Sequence, residues 1–380
     1  MANLVLITGG AGFIGQKLAA RLISAGISVR ILDNFNPQIH SKSELPSALA
    51  KSVDLIRADI RDAGAIKHAM NDVDCLVHLA AETGTGQSMY EISRYFDVNV
   101  QGTAAILEYI QNIKPDGLRN IVIASSRAVY GEGSYFCGEH KNIFPGERLK
   151  SNMCKQIYEP SCPICGAKVS LLPTSEASPF MPMSVYGLTK QVQEQATLMV
   201  AKNLGINAFA LRYQNVYGPG QSLKNPYTGI LAVFSNLARQ NKDIEIYEDG
   251  LESRDFVYID DVVDATMGAI NYVGEFNGAL NVGSGISTNV IKVATEIKKY
   301  FKSSSQINVT GDFRIGDIRH NIADITKIKK LLDFSPKFVF ENGLKIFLDW
   351  ATSQEITDIS LYLKSISELQ NHGLMGNFKK

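Results

Sequence analysis

Apolar residues in the first third of the chain follow two alternating patterns. Segments with helical spacing, such as FIGQKLAARLISAG, separate short runs rich in branched apolar residues: NLVLIT, SVRILD, VDLIRA, DCLVHLA and RNIVIAS. Continuous apolar strands of this kind are buried on both faces of a parallel sheet that helices cover. The pattern therefore predicts an α/β fold with a doubly wound parallel sheet, to which INAFALRY and ALNVGS contribute further strands.

The regular alternation stops between residues 215 and 256 and again after 285, which predicts a second lobe interleaved with the sheet domain. Clefts between lobes commonly bind ligands. The segment ITDISLYLKSISEL has the spacing of an amphipathic helix, which we expect to pack against the smaller lobe. The predicted division is a sheet domain of residues 1–214 and 257–287, a smaller α/β substrate-binding lobe of residues 215–256 and 288–370, and a frayed tail of residues 371–380.

Residues 132–173 interrupt the sheet domain. This segment combines Gly, Pro, Cys and charged residues and has no helix or strand period, so it predicts an insertion or long loop. Loops of this length are usually functional, disordered or cross-linked.

Composition narrows the class of protein. The chain is 45% hydrophobic and 20% charged, and its 38 basic residues balance its 38 acidic ones. No global field therefore attracts nucleic acid or an anionic membrane, and a phosphate-bearing ligand must be bound locally. We expect no membrane span, because no apolar run is long enough. The N-terminus lacks a targeting leader, and four of the five cysteines cluster within the insertion, so we expect a cytoplasmic protein.

The first strand leads into GGAGFIG, a turn with glycines at positions 9, 12 and 15. Such a turn lets the backbone approach a pyrophosphate, and the following helix N-terminus presents free N–H groups. Asp33 follows at about the distance of the ribose-binding acid in a Rossmann dinucleotide site. Its charge would repel a 2′-phosphate, so the motif predicts NAD; Asp59 would bind the adenine edge or cap a helix. The residues assigned here are Gly9, Gly12, Phe13, Ile14, Gly15, Asp33, Asn34, Asp59 and Ile60.

SVYGLTK places Tyr186 and Lys190 on one face of a helix. A nearby ammonium group favours the phenolate, which makes Tyr186 a candidate general base near neutral pH. IASSRAVYG places Ser125 and Ser126 at the carboxyl edge of the sheet, where ligands bind. We expect Ser126 to hydrogen-bond the substrate oxygen that Tyr186 deprotonates, whereas a capping role explains Ser125 better.

GGAGFIG, HLAA, DVNVQGT, SSRAVYG, YGLTK, LRYQNVYGPG, SRDFVYIDDV and RIGDIRH occur in this order. Over nearly its whole length the chain resembles the extended short-chain dehydrogenase/reductase family of NAD-dependent nucleotide-sugar epimerases and dehydratases. The resemblance implies a catalytic triad of Ser126, Tyr186 and Lys190, and a homodimer formed through helices near 90–113 and 186–204. It adds to the NAD site Leu79, Ala80, Ala81, Asn99, Tyr186, Lys190, Tyr213 and Val216.

The resemblance also implies residues that bind a nucleotide-sugar substrate. Arginines suit this role because the forked guanidinium matches phosphate oxygens. Arg319 and His320, in the same region, are more typical of surface charges. Besides Ser126, the implied substrate-binding residues are Asn215, Arg254, Arg314 and Asp317.

The residues beside Ser126 bear on the reaction. Dehydratases of this family carry an Asp-Glu pair there, whereas this chain has Arg127 and Ala128. We therefore expect 4-epimerisation through a 4-keto sugar, with NAD retained, serving polysaccharide or glycoconjugate synthesis. YGPGQSLKNPYTGI and GDIRH are most similar to dTDP-L-rhamnose 4-epimerase and UDP-glucose 4-epimerase-like members. A 2-epimerase, a nucleotide-sugar reductase or dehydrogenase, and a non-catalytic NAD-binding redox sensor are the alternatives.

The insertion contains a candidate metal site. CPICGAK places Cys162 and Cys165 two residues apart beside Pro and Gly, as in a zinc knuckle, and YFCGEH offers Cys137 and His140 at the same spacing. Cys154 lies between these pairs and is an alternative to His140. The set predicts a structural zinc ion; free thiols and a redox role are the alternatives.

Overall fold

The computed structural model describes residues 2–40, 43–225 and 229–376. The strands are β1 (Leu4–Thr8), β2 (Ser28–Asp33), β3 (Asp54–Arg57), β4 (Cys75–His78), β5 (Asn120–Ser126), β6 (Tyr135–Cys137), β7 (Lys141–Ile143), β8 (Ser170–Leu171), β9 (Asn207–Tyr213), β10 (Asn215–Tyr217), β11 (Ile244–Ile246), β12 (Ser253–Tyr258), β13 (Asn277–Val282), β14 (Ser287–Asn289), β15 (Ile307–Val309), β16 (Phe313–Arg314) and β17 (Met375–Gly376).

Helices connect most of these strands. A π-helical segment, Phe96–Gln101, joins the fifth helix to the sixth, and a 3₁₀ turn, Arg127–Tyr130, follows β5. The α-helices are α1 (Phe13–Ser24), α2 (Ser47–Ala50), α3 (Ala63–Ala69), α4 (Thr85–Ser88), α5 (Ile92–Tyr95), α6 (Gly102–Ile113), α7 (Lys150–Met153), α8 (Val185–Leu204), α9 (Ile230–Arg239), α10 (Ile259–Ile270), α11 (Val290–Phe301), α12 (Thr326–Leu332), α13 (Phe340–Thr352) and α14 (Ser360–Asn371).

The central sheet has seven parallel strands in the order β13-β9-β5-β4-β1-β2-β3. All seven were predicted from the sequence, and the predicted α/β class is confirmed. Alternate residues of β1 enter different cores: Val5 packs with α1 and α10, and Leu6 packs with α3 and α6. Helices on both faces explain why the strands are continuously apolar. Strands β2 and β3 are added on one side of β1, and β4 and β5 on the other, so a ligand crevice is expected at the carboxyl ends of β1 and β4, where the strand order reverses.

The smaller lobe contains the three-stranded sheet β10-β12-β14 and the parallel pair β11-β15. Its helices α9, α11 and α13 bury apolar faces in the same core that receives Val5 and Ile7 of the central sheet. The two lobes therefore share one hydrophobic core, which holds their facing surfaces in a defined arrangement.

The insertion is folded rather than an open loop. Strands β6, β7 and β8 form an antiparallel sheet in the order β7-β6-β8. Its small separate core consists of Tyr135, Cys137, Ile143 and Cys162, with Val169 and Leu171 partly buried against it.

The C-terminal segment differs from the prediction. Strand β17 pairs with β16, so the predicted frayed tail is wrong for residues 371–376; residues 377–380 lie outside the described part of the chain. Helix α14 also reaches the sheet domain: the Tyr90 hydroxyl donates to Glu368 (3.0 Å) at the end of this helix, and the His372 ring stacks on Tyr90. None of the helices among the described residues is long and apolar enough to cross a membrane.

Candidate active site

The glycine-rich turn lies between β1 and α1. Gly9 has φ +68°, and a Cβ there would lie 2.7 Å from the Ala80 amide nitrogen after β4. At the helix start, a Cβ on Gly15 would lie 2.5 Å from the Gly10 Cα. Gly12 precedes α1 without a side-chain cap, so the first helical N–H groups are not covered by a side chain. This bare turn at a helix N-terminus fits a dinucleotide pyrophosphate.

The acidic residues of the predicted NAD site lie beside this turn. Asp33 ends β2 and accepts hydrogen bonds from the backbone N–H groups of Ala11 (2.9 Å) and Phe35 (2.8 Å), so it also supports the turn. Asp59 accepts a hydrogen bond from the Asn34 side chain (2.9 Å). A hydrogen bond from Arg61 lowers the pKa of Asp59 to about 2.

Asp59 does not cap a helix, which was the alternative to adenine binding. The cap of α3 is Asp62, which accepts from the N–H groups of Gly64 and Ala65. Asp59 therefore stays beside Asn34 at the sheet edge, in the region predicted to bind the adenosine end of the cofactor.

Asn99 lies in the π-helical segment and is fully buried. Its side chain accepts from the Glu82 N–H (2.7 Å) and donates to the Glu82 carbonyl (3.1 Å) and the Thr189 hydroxyl (3.0 Å). Asn99 thus holds the segment containing Leu79, Ala80 and Ala81 against α8. Its side-chain amide is therefore hydrogen-bonded within the protein, where it supports the backbone at Glu82.

Tyr213, predicted to belong to the NAD site, does not line the cavity between the lobes that is described below. Its hydroxyl group pairs with Thr266 of α10 (2.9 Å), and its ring belongs to the main core. Val216, three residues later, does line the cavity described below, whereas buried Ile60 lies in the core beside α6.

The catalytic candidates converge where β5 meets α8. Ser126 ends β5, and its hydroxyl accepts from the Ala128 N–H (3.2 Å). The capping interaction is therefore made by Ser126, whereas the Ser125 hydroxyl donates to buried Glu194 (2.5 Å), so the prediction that Ser125 makes the cap is wrong. Ser184 caps α8 and places Tyr186 in its first turn.

The charges around Tyr186 differ from the expected arrangement. Burial raises the pKa of the Tyr186 phenol, while a hydrogen bond from Ser126 and the charge of Arg127 lower it. The Lys190 ammonium group donates to the Ala124 carbonyl (2.9 Å), and burial lowers the pKa of Lys190 to about 7. The charge of Arg127, which was not predicted from the sequence to act here, therefore also favours the phenolate.

A cavity of about 370 Å³ opens between the lobes beside Ser126 and Tyr186. Its lining contains all the residues predicted to bind the substrate: Ser126, Asn215, Arg254, Arg314 and Asp317. Arg254 donates to Asp317 through Nη2 (2.9 Å). Burial disfavours the Asp317 carboxylate, but the charges of Arg254, Arg314 and Arg127 more than compensate and lower its pKa.

Several cavity residues were not predicted as ligands. Arg127 donates through Nε to the Asn215 side-chain oxygen (2.9 Å). Its position directly after Ser126 could have predicted that it lies in the cavity. Glu252 also lines the cavity, and burial raises its pKa to about 7. Tyr362 and Leu369 come from α14, far along the chain, and no local pattern indicates their place here.

The expectation of a surface charge is wrong for Arg319. Its side chain is fully buried and donates to Glu159 (2.7 Å), Asp249 (2.7 Å) and Glu248 (3.0 Å). His320 is also partly enclosed, with its ring nitrogens beside Ser253 (2.8 Å) and Glu159 (3.2 Å).

The four predicted metal ligands meet in the insertion. The ligand atoms of Cys137, His140, Cys162 and Cys165 all lie within 4.8 Å of one another. Cys154, at the end of α7, is exposed and outside this group. All five cysteines are free thiols.

Comparison with protein families gives one match that covers most of the chain. Residues 5–144 and 147–283 match the model of the NAD dependent epimerase/dehydratase family. The two matched segments contain the glycine-rich turn, Ser126, Tyr186 and Arg254.

Individual relatives are similar over nearly the full length. A dTDP-L-rhamnose 4-epimerase of Burkholderia thailandensis is 38% identical over 354 residues, covering 92% of this chain and 95% of the relative. A solved UDP-N-acetylglucosamine 4-epimerase of Methanobrevibacter ruminantium is 27% identical with TM-score 0.74, covering 93% and 99% of the two chains. A UDP-glucuronic acid 4-epimerase of Bacillus cereus, solved with UDP-glucuronic acid and NAD, is 25% identical with TM-score 0.73, covering 92% and 99%.

Proposed function

The chain belongs to the NAD-dependent epimerase/dehydratase family, and from this premise we propose that it is a nucleotide-sugar 4-epimerase that retains its NAD. Its substrate class is a dTDP- or UDP-activated hexose or 6-deoxyhexose. The 38% identity to a dTDP-L-rhamnose 4-epimerase supports dTDP-L-rhamnose as the first substrate to test.

One observation carries the proposal: acid–base groups and anion-binding groups line the same cavity. Ser126 and Tyr186 lie on the wall formed by the sheet domain, and Arg254 and Arg314 come from the smaller lobe. A nucleotide sugar needs both, because its diphosphate requires cationic partners while its C4 hydroxyl requires a base.

The residues divide the chemistry between them. NAD bound at the glycine-rich turn would supply the hydride acceptor and donor for the sugar C4. Tyr186 takes the proton of the C4 hydroxyl during oxidation and returns it during reduction, so no net proton is consumed. Ser126 donates a hydrogen bond to the same oxygen, and Arg254 and Arg314 hold the diphosphate while the sugar presents its other face.

The positions after Ser126 favour epimerisation over dehydration. Arg127 and Ala128 occupy the place of the acid–base pair that elimination of water requires. Arg127 instead places a positive charge near Tyr186, which suits a base that must lose and regain one proton.

The remaining features of the proposal are a cytoplasmic homodimer with a structural zinc ion. Dimerisation is supported by apolar side chains exposed on two helical elements that pack on each other, the segment α5–α6 and α8. These side chains are Ile92, Phe96, Leu188 and Met199. Zinc would be structural because four protein ligands leave no open coordination position.

Proton NMR of the purified protein tests the function. The protein is incubated separately with dTDP-L-rhamnose, UDP-glucose and UDP-galactose without added NAD, and the signals that report C4 configuration are followed. We expect one substrate to reach an equilibrium mixture of C4 epimers with no net NADH formed. Tyr186→Phe should slow this conversion by about 10²- to 10⁴-fold, the usual contribution of a general acid–base group.

Tyr300→Phe is the matched control, because its hydroxyl bonds Asp349 on the outside of the smaller lobe. It should epimerise at the wild-type rate. No inversion of any of the three sugars, even after NAD is supplied, would contradict the proposal. Stoichiometric NADH formation or consumption would indicate a dehydrogenase or reductase instead.

A further inference from the structure

We propose that residues 132–173 are a zinc-stabilised support that lies behind the substrate cavity and holds two of its lining residues in place. One zinc ion held by Cys137, His140, Cys162 and Cys165 fixes the fold of this insertion, and the insertion in turn positions Arg254 and Asp317. The zinc site stands on its own geometry, and the effect on substrate binding rests on the proposed function.

Three of the six pairs of ligand atoms have the separations of a tetrahedral zinc site, and all six pairs lie within 4.8 Å. Zn–S and Zn–N bonds of about 2.3 and 2.0 Å place sulfurs about 3.7 Å apart and S–N pairs about 3.5 Å apart. The Sγ atoms of Cys137 and Cys165 are 3.8 Å apart. The His140 Nδ1 lies 3.8 Å from the Cys137 Sγ and 3.6 Å from the Cys162 Sγ. These separations are too long for a disulfide and match a shared ion.

The backbone around the cluster is a metal-binding turn. The Cys162 carbonyl accepts from the Gly166 N–H (2.8 Å), and the Cys162 N–H donates to the Ala167 carbonyl (2.9 Å). Gly166 has φ +72°, which a side chain would disfavour. This tight turn aims Cys162 and Cys165 at one point, and the β6–β7 hairpin brings Cys137 to the same point.

The sheet of the insertion has little apolar core of its own, although Met153 and Tyr158, elsewhere in the insertion, pack on Phe313. Its separate core contains only four buried residues, and two of them, Cys137 and Cys162, are proposed ligands. Small units with cores of this size depend on a disulfide or a metal. The thiolate-rich set selects zinc over hard cations such as Mg²⁺ and Ca²⁺. Ion binding therefore supplies stability that packing does not.

Arg148 is the first link from the insertion to the cavity. This buried residue lies after β7, and its Nη2 donates to the Asp317 carbonyl (2.9 Å) and lies 2.8 Å from Glu248. Its Nε lies 3.0 Å from Glu132, which belongs to the same insertion. The backbone of Asp317, a cavity residue, is thus held by a side chain of the insertion.

Arg319 is the second link. Two glutamates of the insertion bind it: Glu132 accepts from its backbone N–H (2.9 Å), and Glu159 accepts from its Nε (2.7 Å). The Arg319 carbonyl accepts from Arg254 Nη1 (3.0 Å), and Arg254 also binds Asp317. Because buried charges are costly when they lose a partner, release of the insertion would force this network to rearrange.

Metal content tests the site directly. The full chain, purified without added metal, is analysed by elemental mass spectrometry and should contain about one zinc ion per chain. Cobalt exchanged into the site should show the visible absorption of tetrahedral thiolate coordination. Cys165→Ser should lose the ion, and because Cys165 is exposed the substitution disturbs little packing. Cys154→Ser is the matched control and should keep it.

Binding of dTDP and of UDP, measured by calorimetry, tests the link to the cavity. Loss of zinc in Cys165→Ser should weaken the better-bound diphosphate roughly tenfold, as expected when a charged contact is misplaced. NAD binding at the distant glycine-rich turn should not change. Arg148→Met keeps all four ligands, so it should retain zinc yet weaken the same diphosphate by a similar factor.

A wild-type chain without zinc, or Cys165→Ser that retains it, would overturn the metal site. Unchanged diphosphate affinity in both Cys165→Ser and Arg148→Met would overturn the positioning role. These readouts do not require turnover. A zinc-dependent diphosphate site in a chain that epimerises none of the tested sugars would therefore contradict the proposed reaction while supporting this inference.

Discussion

At the scale of residues, three arginines are buried, although arginine side chains are usually exposed. Most arginines in proteins are exposed, yet Arg148, Arg254 and Arg319 are all buried here with carboxylates as partners. Because each is paired with carboxylates, these arginines add little net positive charge. Of the three, only Arg254 lines the cavity, together with Arg127 and Arg314.

Arg127 is expected to control the pH dependence of catalysis. The phenol of Tyr186 must be deprotonated to act as a base, and the charge of Arg127 opposes the effect of burial on its pKa. Arg127→Gln removes this charge, so the pKa of Tyr186 rises and the acidic limb of kcat/KM moves to higher pH. Arg127→Lys keeps a positive charge and should leave the limb near its wild-type position. An unmoved limb in Arg127→Gln would contradict this role.

At the scale of elements, the sheet edge is where sequence and structure agree best. Strands β1, β2, β4 and β5 end within the segments that carry the glycine-rich turn, Asp33, HLAA and Ser126. Parallel strands bring their carboxyl ends to one edge, so the parallel arrangement by itself places residues distant in sequence close together there. The positions of the C-terminal elements β17 and α14 cannot be predicted in this way, because they do not belong to the parallel sheet.

The glycine-rich turn offers a paired test of close backbone approach. Gly9 and Gly26 both have positive φ, but a Cβ on Gly9 would meet Ala80, whereas Gly26 has nothing within 4 Å. Gly26→Ala should cost only the conformational penalty of about 1–2 kcal/mol in unfolding free energy. Gly9→Ala should cost more and also lower the NAD content of the purified protein. Chemical denaturation and cofactor extraction measure the two effects, and equal losses in both variants would argue against close approach.

At the scale of the whole molecule, the cavity depends on parts from across the chain. The sheet domain supplies Ser126 and Tyr186, the smaller lobe supplies Arg254, and the C-terminal helix supplies Tyr362. The insertion holds this arrangement from outside through Arg148. Substrate binding is thus expected to be sensitive to changes far from the reacting sugar.

The proposed dimer would be a property of the whole molecule, and a surface variant tests it. Met199 on α8 is 66% exposed, and Val273, between α10 and β13, is 95% exposed. Met199→Arg should shift the protein from dimer to monomer in sedimentation velocity, because it places like charges across a two-fold axis. Val273→Arg is the control and should remain dimeric. A wild-type monomer, or a dimer that persists after charge is introduced at both Phe96 and Met199, would contradict the proposed interface.

The sequence by itself determined the parallel sheet, the glycine-rich turn, the Tyr186–Lys190 spacing and the four clustered Cys/His residues. Each depends on periodicity or on spacings of a few residues, which local backbone geometry converts into structure. Only the tertiary structure decided that the charge of Arg127 acts on Tyr186, that Ser126 rather than Ser125 makes the cap, that Arg319 is buried, and that residues 375–376 pair with 313–314. These outcomes depend on contacts between segments far apart in the chain, and such contacts leave no periodic trace in either segment.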